Sequence, residues 1–253
     1  MLGLKDKPVI VTGGASGIGK AIALRLGQAG CKIGIFDLNE KGGEVAADAI
    51  RGEGGKAWAY KTDIANYMDV ANAADAFEKA AGSVFGLVNN AGWDESKPFI
   101  KTDPDFWKKV IDINLYGSLN LTHIVARRLA QTGAGRVVSI SSDAGRVGSS
   151  GEAVYSAAKG GVIAFMKTMA REFAKQGITF NTICPGPTDT PLLASFDAAG
   201  GGQLVEALTK AIPMRRVAQP DDYPGLVAFL LSDDARYITG QTISVSGGLT
   251  MHG

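Results

Sequence analysis

Tyr155 and Lys159 are the two side chains whose types and spacing point most directly to acid–base chemistry. They bracket Tyr155-Ser-Ala-Ala-Lys159, at the start of a segment, residues 153–175, whose apolar residues recur at helical spacing. Side chains four residues apart share one face of a helix. An ammonium about 4 Å from a phenol, at an effective dielectric of about 20, favours the phenolate by roughly 4 kcal/mol. That would lower the tyrosine pKa, ordinarily about 10, by about three units. Such pairs are also common on solvated helix surfaces, which is the alternative interpretation.

Two further polar residues are predicted to lie beside this pair. Ser142 ends a predicted buried strand, residues 136–142, and precedes Tyr155 by thirteen residues, enough for a returning loop. Asn114 interrupts an apolar helical segment, where a buried amide needs hydrogen-bond partners. Its backbone or side chain could hold a water molecule beside the Lys159 ammonium. The alternative for Asn114 is a polar residue on a partly wet helix face.

A glycine-rich stretch, Thr12-Gly-Gly-Ala-Ser-Gly-Ile-Gly19, follows the first predicted strand and precedes a predicted helix over residues 20–29. Glycine allows positive φ and a close approach of the backbone to a ligand. The free N–H groups and positive dipole of a helix N-terminus suit a pyrophosphate. In this context the stretch predicts a dinucleotide site, although its spacing, Gly-x-x-x-Gly-x-Gly, departs from the usual Rossmann pattern. The residues predicted to bind the cofactor here are Gly13, Ser16, Gly17, Ile18 and Gly19.

Acidic residues at the ends of the next two predicted strands suggest which dinucleotide is bound. Asp37 lies about twenty residues after the glycine stretch, where a carboxylate accepts from the ribose hydroxyls and repels a 2′-phosphate. No Lys or Arg lies between Gly13 and Gly19. Both facts favour NAD over NADP. Asp63 and Ile64 suit the adenine, although Asp37 and Asp63 could instead be turn or cap residues.

The order of predicted elements indicates one doubly wound, Rossmann-like α/β domain spanning residues 1–253. Near-continuous apolar strands alternate with amphipathic helices, which favours a seven-stranded parallel sheet covered on both faces. Asn89-Asn90-Ala91-Gly92 closes the fourth strand, where it either forms a turn or borders a ligand. The predicted strands are residues 8–12, 33–37, 56–62, 86–89, 135–141, 179–184 and 242–245.

Composition narrows the class of protein. The 253 residues carry a net charge of +1, which gives no reason to expect a nucleic-acid partner. Two cysteines in apolar contexts are typical of a reduced, cytoplasmic protein. There is no leader-like start and no apolar run long enough to span a bilayer, so no membrane partner is expected. Two scattered histidines predict no metal site.

Taken together, these motifs resemble the short-chain dehydrogenase/reductase family from end to end. The matching residues are Thr12 to Gly19, Asn89-Asn-Ala-Gly92, Asn114, Ser142, Tyr155-Ser-Ala-Ala-Lys159 and Pro185-Gly186.

The resemblance implies a homotetramer and assigns Tyr155 as general acid/base, with Ser142 as hydrogen-bond donor to the substrate oxygen. It implies that Lys159 lowers the tyrosine pKa and binds the nicotinamide ribose, while Asn114 supports a proton relay. Ser246 is a departure, because many relatives carry Asp there. Residues implied near the nicotinamide are Asn90, Gly92, Pro185, Gly186, Thr188 and Thr190.

Substrate-binding residues are expected near the loop at residues 187–216. Leu192 is an apolar candidate in this loop, Gly200-Gly201-Gly202 could be a hinge, and Trp93 could wall a ring-shaped substrate. Arg146, Arg215 and Arg216 could meet the phosphates of a CoA tail. Alternatively, the loop is merely flexible, Trp93 only packs against its neighbours, and the arginines are only solvated surface residues.

The sequence therefore predicts an NAD-dependent enzyme that interconverts a secondary alcohol and a ketone. Residues 149–154, 184–190 and 244–251 are similar to a branch acting on alicyclic β-hydroxyacyl-CoA thioesters such as 2-hydroxycyclohexanecarboxyl-CoA. The alternatives are a 3-oxoacyl-thioester reductase or a general cyclic-alcohol dehydrogenase. A non-catalytic NAD sensor is a further alternative, but it would need only the nucleotide half of the chain.

Overall fold

A computed structural model describes residues 1–191, 193–194, 196 and 203–251 and contains a seven-stranded parallel sheet. The strand order is β3-β2-β1-β4-β5-β6-β7, and each neighbouring pair is parallel. The strands are β1 Pro8–Thr12, β2 Lys32–Asp37, β3 Lys56–Lys61, β4 Gly86–Asn89, β5 Gly135–Ile140, β6 Ile178–Pro185 and β7 Thr242–Val245.

The helices lie between the strands, and three of them begin at residues whose side chains cap the helix. Asn39, Asn66 and Asp103 cap three of them by accepting hydrogen bonds from backbone N–H groups of the first turn. In the described part of the chain the helices are α1 Gly17–Gln28, α2 Glu40–Gly52, α3 Tyr67–Ala81, α4 Pro104–Ile111, α5 Gly117–Thr132, α6 Ala144–Val147, α7 Ala153–Glu172, α8 Leu204–Ala211 and α9 Pro224–Leu231.

Hydrophobic cores cover both faces of the sheet, because successive strand residues point to opposite sides. On one face Val9 and Val11 pack with residues of α1, α2 and α9. On the other face Ile10 packs with residues of α3, α5 and α7. The predicted fold class, a single α/β unit with a doubly wound parallel sheet, is confirmed.

Element boundaries differ from the prediction by a few residues at most. Helix α1 begins at Gly17 rather than at residue 20, because the Lys20 amide already donates to the Ser16 carbonyl at 3.1 Å and closes the first turn. Helix α7 ends at Glu172, where Phe173 leaves the helical conformation, and a 3₁₀ turn, Ala174–Gln176, follows.

The strand order places the nucleotide and chemical motifs at one edge of the sheet. The chain moves outwards from β1 to β3, and then returns to place β4 on the other side of β1. Ligands in open α/β sheets bind at the carboxyl ends of the strands beside such a switch point. Within the described residues, no helix is both long enough and apolar enough to cross a bilayer.

Candidate active site

A cavity of about 1390 Å³ runs along the carboxyl edge of the sheet and collects most of the predicted site residues. It extends from the ends of β2 and β3 past the start of α1 to the start of α7. The predicted residues that line it are Gly13, Ser16, Gly17, Ile18, Asp37, Asp63, Ile64, Asn90, Gly92, Trp93, Ser142, Tyr155, Lys159, Pro185, Gly186, Thr188 and Thr190.

Helix α7 holds Tyr155 and Lys159 at the cavity wall, as their spacing predicts. The Lys159 side chain is 4% exposed, and its Nζ donates to the Ile140 carbonyl oxygen at 3.1 Å. Nζ lies 5.5 Å from the centroid of the Tyr155 ring. The Ser141 hydroxyl donates to the Lys159 carbonyl oxygen at 2.9 Å, which fastens the end of β5 to α7.

Ser142 completes the group of side chains around the Tyr155 hydroxyl. Its Oγ accepts a hydrogen bond from the Ala144 amide at 3.1 Å, which fixes the turn between β5 and α6. A hydrogen bond between Ser142 and Tyr155 favours the phenolate and so acts to lower the Tyr155 pKa, against the larger effect of burial. Ser142 and Tyr155 can thus meet one substrate oxygen.

The electrostatics of the pair differ from the simple two-charge expectation. Burial is the largest effect and raises the pKa of Tyr155, and the nearby carboxylates of Glu152 and Asp94 raise it further. Burial also lowers the pKa of Lys159 to about 8. The expected downward shift of the tyrosine pKa is therefore wrong, because desolvation penalises the phenolate as it penalises the ammonium.

Asn114 lies behind the cavity rather than in its wall. It occurs in a single π-helical turn, Asp112–Tyr116, between α4 and α5, and is fully buried. Its Nδ2 donates to the carbonyl oxygens of Trp93 at 2.6 Å and Val110 at 2.9 Å, and its Oδ1 accepts from the Trp93 amide at 3.2 Å. The side chain therefore clamps the segment after β4, and its predicted part in a proton relay remains a prediction.

Gly92 lies where Asn114 and Lys159 approach this segment. A Cβ atom at position 92 would lie 2.8 Å from Asn114 Oδ1 and 3.3 Å from Lys159 Nζ. A side chain there would collide with Asn114 Oδ1 and crowd Lys159 Nζ, so the close packing favours glycine.

The start of α1 fits the pyrophosphate of a dinucleotide. Helix α1 has Ser16 as its N-cap, and the Ser16 side chain makes no capping hydrogen bond within the described structure. The first backbone N–H groups of the helix are thus offered to a ligand in the cavity. Gly13 and Gly17, with φ of +66° and +52°, form the loop. Gly19 is not a lining residue, and a Cβ there would lie 2.2 Å from the Gly13 carbonyl oxygen.

Asn90 supports the glycine loop from β4. Its Nδ2 donates to the Thr12 carbonyl oxygen at 3.0 Å and to that of Gly13 at 3.3 Å. The Thr12 hydroxyl accepts from the amides of Asn90 and Ala91, each at 3.0 Å. Asn90 is thus a brace for the loop as well as a lining residue.

Asp37 and Asp63 lie at the far end of the cavity. The Asp37 carboxylate accepts from the Ala15 amide at 3.0 Å through Oδ2 and from the Asn39 amide at 2.9 Å through Oδ1. Asp63 Oδ1 accepts from the Ala65 amide at 2.9 Å, which makes a turn, but the helix cap expected of it under the alternative interpretation is Asn66. Ile64 is 7% exposed.

Thr188 and Thr190 lie beyond the end of β6. Tyr223, which the sequence analysis does not single out, contacts Thr188. The Thr188 hydroxyl lies 2.6 Å from the hydroxyl of Tyr223, a fully buried residue. Thr188 also donates to the Gly186 carbonyl oxygen at 2.8 Å. Thr190 Oγ1 donates to the Thr188 carbonyl oxygen at 3.3 Å.

The predicted substrate residues are only partly brought together. Trp93 lines the cavity, and Lys109, also a lining residue, places its Nζ 3.5 Å from the Trp93 ring centroid. Leu192 and the three glycines at 200–202 lie outside the described residues. Leu204 and Leu208 of α8, which lie within residues 187–216, do line the cavity, and the role of this loop in substrate binding stays a prediction.

The expected arginine contacts with a CoA tail are not supported by the positions of these side chains. Arg146 is absent from the cavity lining. Its Nη1 donates to the Thr242 carbonyl oxygen at 3.2 Å and to Ser244 Oγ at 2.9 Å, so both bonds join it to β7. Arg216 pairs with Asp222 at 2.6 Å, and Arg215 donates to the Lys210 carbonyl oxygen.

Two acidic residues near Tyr155 were missed in the sequence. Asp94 is 4% exposed, and Glu152 lines the cavity. Burial raises the pKa of Asp94 to about 7 and also raises that of Glu152. The available signal was position: Asp94 follows the Asn-Asn-Ala-Gly turn by two residues, and Glu152 precedes Tyr155 by three.

Comparison with known proteins identifies one family over nearly the whole chain. A family profile described as enoyl-(acyl carrier protein) reductase matches residues 13–250. The acetoacetyl-CoA reductase of Shinella zoogloeoides is 40% identical over 243 residues, which cover 96% of this chain and 98% of that protein. The 3-oxoacyl-[acyl-carrier-protein] reductase of Synechocystis sp. is 37% identical over 256 residues, covering 99% and 100%.

Solved structures show the same likeness. A variant of actinorhodin polyketide ketoreductase, crystallised with NADPH, superposes with a TM-score of 0.94 at 31% identity, and the match covers 100% of both chains. A putative short-chain alcohol dehydrogenase from Sinorhizobium meliloti has a TM-score of 0.91 at 30% identity, covering 97% of this chain and 96% of that chain.

Proposed function

The chain belongs to the short-chain dehydrogenase/reductase family, and we propose that it is an NADH-dependent reductase of 3-oxoacyl thioesters. It is an oxidoreductase that acts on the CH–OH/ketone pair and uses a nicotinamide cofactor. The observation that carries the proposal is the convergence of Ser142, Tyr155 and Lys159 on the cavity that the uncapped start of α1 also borders. The names of the relatives support a thioester substrate.

In the proposed reaction, the side chains of the protein transfer a proton to the ketone oxygen of the substrate. Bound NADH would supply a hydride to the carbonyl carbon. As the C=O π bond breaks, the oxygen takes a proton from the Tyr155 hydroxyl, and Ser142 donates a hydrogen bond to the same oxygen. The reaction consumes one ketone, one NADH and one proton, and it yields one alcohol and one NAD⁺. The raised pKa of Tyr155 keeps the hydroxyl protonated near neutrality, which suits the reductive direction.

NADH rather than NADPH is proposed because of Asp37. Its carboxylate borders the cavity at the end of β2, where it would accept from ribose hydroxyls and repel a 2′-phosphate. The ketoreductase structure with NADPH shows that this fold also accepts the phosphorylated cofactor, so the choice depends on such local charges. Ser16, Gly17 and Ile18 would hold the pyrophosphate, and Lys159 the nicotinamide ribose.

A linear 3-oxoacyl group is favoured over the cyclic substrate expected from the sequence. The relatives named above act on acetoacetyl-CoA and 3-oxoacyl-[acyl-carrier-protein], which matches the alternative rather than 2-hydroxycyclohexanecarboxyl-CoA. Trp93, Leu204 and Leu208 provide apolar walls for an acyl chain.

The test is a substrate panel with both cofactors. NADH and NADPH oxidation should be followed with acetoacetyl-CoA, 2-oxocyclohexanecarboxyl-CoA, cyclohexanone and crotonyl-CoA. Acetoacetyl-CoA with NADH is expected to give the highest kcat/KM, and Tyr155→Phe should lower it by at least about a hundredfold. Highest activity with crotonyl-CoA would indicate the enoyl reduction named in the family description and overturn the proposal. Cofactor binding without turnover of any substrate would favour the non-catalytic sensor.

A further inference from the structure

Asp94 is a buried acidic residue for which the reaction proposed above has no role. It is 4% exposed and follows Trp93, whose backbone N–H and C=O are both bound by the Asn114 side chain. The residue is therefore held at a fixed position beside the catalytic pair.

The carboxyl group of Asp94 is incompletely satisfied. The Glu95 backbone amide donates one hydrogen bond to it, but its Oδ2 is buried without a hydrogen-bond partner in the part of the chain that the structure describes. The adjoining crevice is lined by Phe99, Phe106, Glu152 and Tyr155 and has no room for a water molecule. A buried, unpaired carboxylate is costly for folding, and such groups call for an explanation.

We propose that Asp94 is a positioning residue that controls where the catalytic proton resides, through the field of its buried carboxyl group on Tyr155 and Lys159. When ionised, Asp94 opposes the Tyr155 phenolate and favours the Lys159 ammonium. Tyr155 is thereby kept in the protonated form, which is the form that donates to a ketone oxygen. The inference rests on the proposed function and extends it to the preferred direction of the reaction.

The charges around Asp94 agree with this assignment. The pKa of Asp94 is raised to about 7, chiefly by burial and also by the carboxylates of Glu152 and Glu95, while the hydrogen bond from the Glu95 amide and the Lys159 ammonium act to lower it. In turn, Asp94 raises the pKa values of Tyr155 and Lys159. Lys97 also lines the crevice, but its Nζ pairs with Glu95 at 2.7 Å.

The decisive variant is Asp94→Asn, which keeps the shape of the side chain and removes its charge. The pH dependence of kcat/KM for oxidation of the hydroxyacyl thioester has an acidic limb that reports formation of the phenolate. We expect this limb to move to lower pH by roughly half a unit or more, because a like charge nearby has been removed. Asp94→Glu, which retains a carboxyl group, should restore a midpoint close to that of the wild type.

The matched control is Glu95→Gln, which removes the neighbouring but exposed carboxylate. Its midpoint should move by well under half of the shift in Asp94→Asn, because an exposed charge is screened by solvent. NADH binding and the thermal midpoint of each variant verify that it is folded. Asp94→Ser replaces Asp94→Asn if the latter gives no folded protein.

A second readout does not depend on turnover. Ultraviolet difference titration of the phenolate, with the corresponding Tyr155→Phe protein subtracted, gives the ionisation of Tyr155 directly. The same downward shift is expected in Asp94→Asn. If the wild type turns over no ketone, the proposed function fails while this titration still tests Asp94. An unchanged tyrosine midpoint in Asp94→Asn, or equal shifts in Asp94→Asn and Glu95→Gln, would overturn the inference.

Discussion

Replacement of Asp37 by serine should switch the cofactor preference, because the carboxylate acts on the two cofactors in opposite ways. Both of its oxygens are fixed by backbone amides, Oδ2 by Ala15 at 3.0 Å and Oδ1 by Asn39 at 2.9 Å. Each oxygen retains a further lone pair that can accept from a ribose hydroxyl. The carboxylate is therefore pre-oriented at the end of β2, and little ordering is needed when the cofactor binds.

The size of the effect follows from these two roles. Loss of a hydrogen bond to a charged acceptor weakens NADH binding by roughly 1.5–3 kcal/mol. Removal of the negative charge also relieves repulsion that only the 2′-phosphate of NADPH experiences. Loss of the bonds to Ala15 and Asn39 loosens the loop for both cofactors and cancels in the ratio. We expect the ratio of kcat/KM for NADH to that for NADPH to fall by at least about tenfold, equivalent to about 1.4 kcal/mol.

The assay compares the two cofactors at a fixed concentration of acetoacetyl-CoA. Asp63→Asn is the matched control, since it removes a carboxylate from the same cavity at the next strand but away from the predicted ribose site. Its ratio should stay close to that of the wild type. The reasoning is refuted if the wild type already prefers NADPH, or if Asp37→Ser leaves the ratio unchanged.

Three further outcomes are expected. Tyr155→Phe should lose about 10²- to 10⁴-fold in kcat, the usual contribution of a general acid, while its NADH affinity in a fluorescence titration stays the same; activity like that of the wild type would remove Tyr155 from this role. Lys159→Ala should weaken both NADH binding and turnover, and unchanged NADH binding would separate the two functions. The family resemblance implies a homotetramer, and light scattering at low micromolar concentration should give four times the monomer mass; a clean monomer would contradict this.

The sheet and the nucleotide loop could be predicted because their signals are local. Apolar runs bounded by turn residues located every strand to within two residues, and the glycine stretch between β1 and α1 has few other uses. Tyr155, Lys159 and Ser142 were found for the same reason. Helical spacing places the first two on one face, and the end of a buried parallel strand brings Ser142 to the same edge.

The features of the site that the sequence does not predict depend on contacts between segments far apart in the chain. The Asn114 amide binds the backbone of Trp93, 21 residues away, a contact that no local pattern in the sequence indicates. Arg146 was expected near a phosphate, but it donates to Ser244, 98 residues away. The direction of the Tyr155 pKa shift was predicted wrongly, because a pairwise charge estimate contains no burial. Only the folded structure brings the carboxylates of Asp94 and Glu152 close enough to raise the Tyr155 pKa.

The buried ammonium of Lys159 destabilises the folded protein, and its lowered pKa makes this cost depend on pH. Its pKa is lowered from 10.5 to about 8, and burial is the largest cause. At about 1.4 kcal/mol per unit, this corresponds to on the order of 3 kcal/mol against folding. Since the folded-state pKa lies below the unfolded value, the unfolded chain binds more protons between pH 8 and 10.5. Stability should therefore rise with pH in that window, and the full cost is present below pH 8.

Lys159→Met should consequently stabilise the protein at pH 7. Methionine keeps an apolar stem of similar length and removes the ammonium, although the Ile140 carbonyl loses its donor, which costs about 1 kcal/mol. A net gain of about 1–2 kcal/mol would raise the thermal midpoint by roughly 2–8 °C in a chain of this size. The gain should shrink near pH 10, where the wild-type lysine is largely neutral when folded.

Lys167→Met, an exposed position on α7, should change the midpoint little. A lower midpoint for Lys159→Met at pH 7, or a gain independent of pH, would show that the buried ammonium is not a cost to the fold.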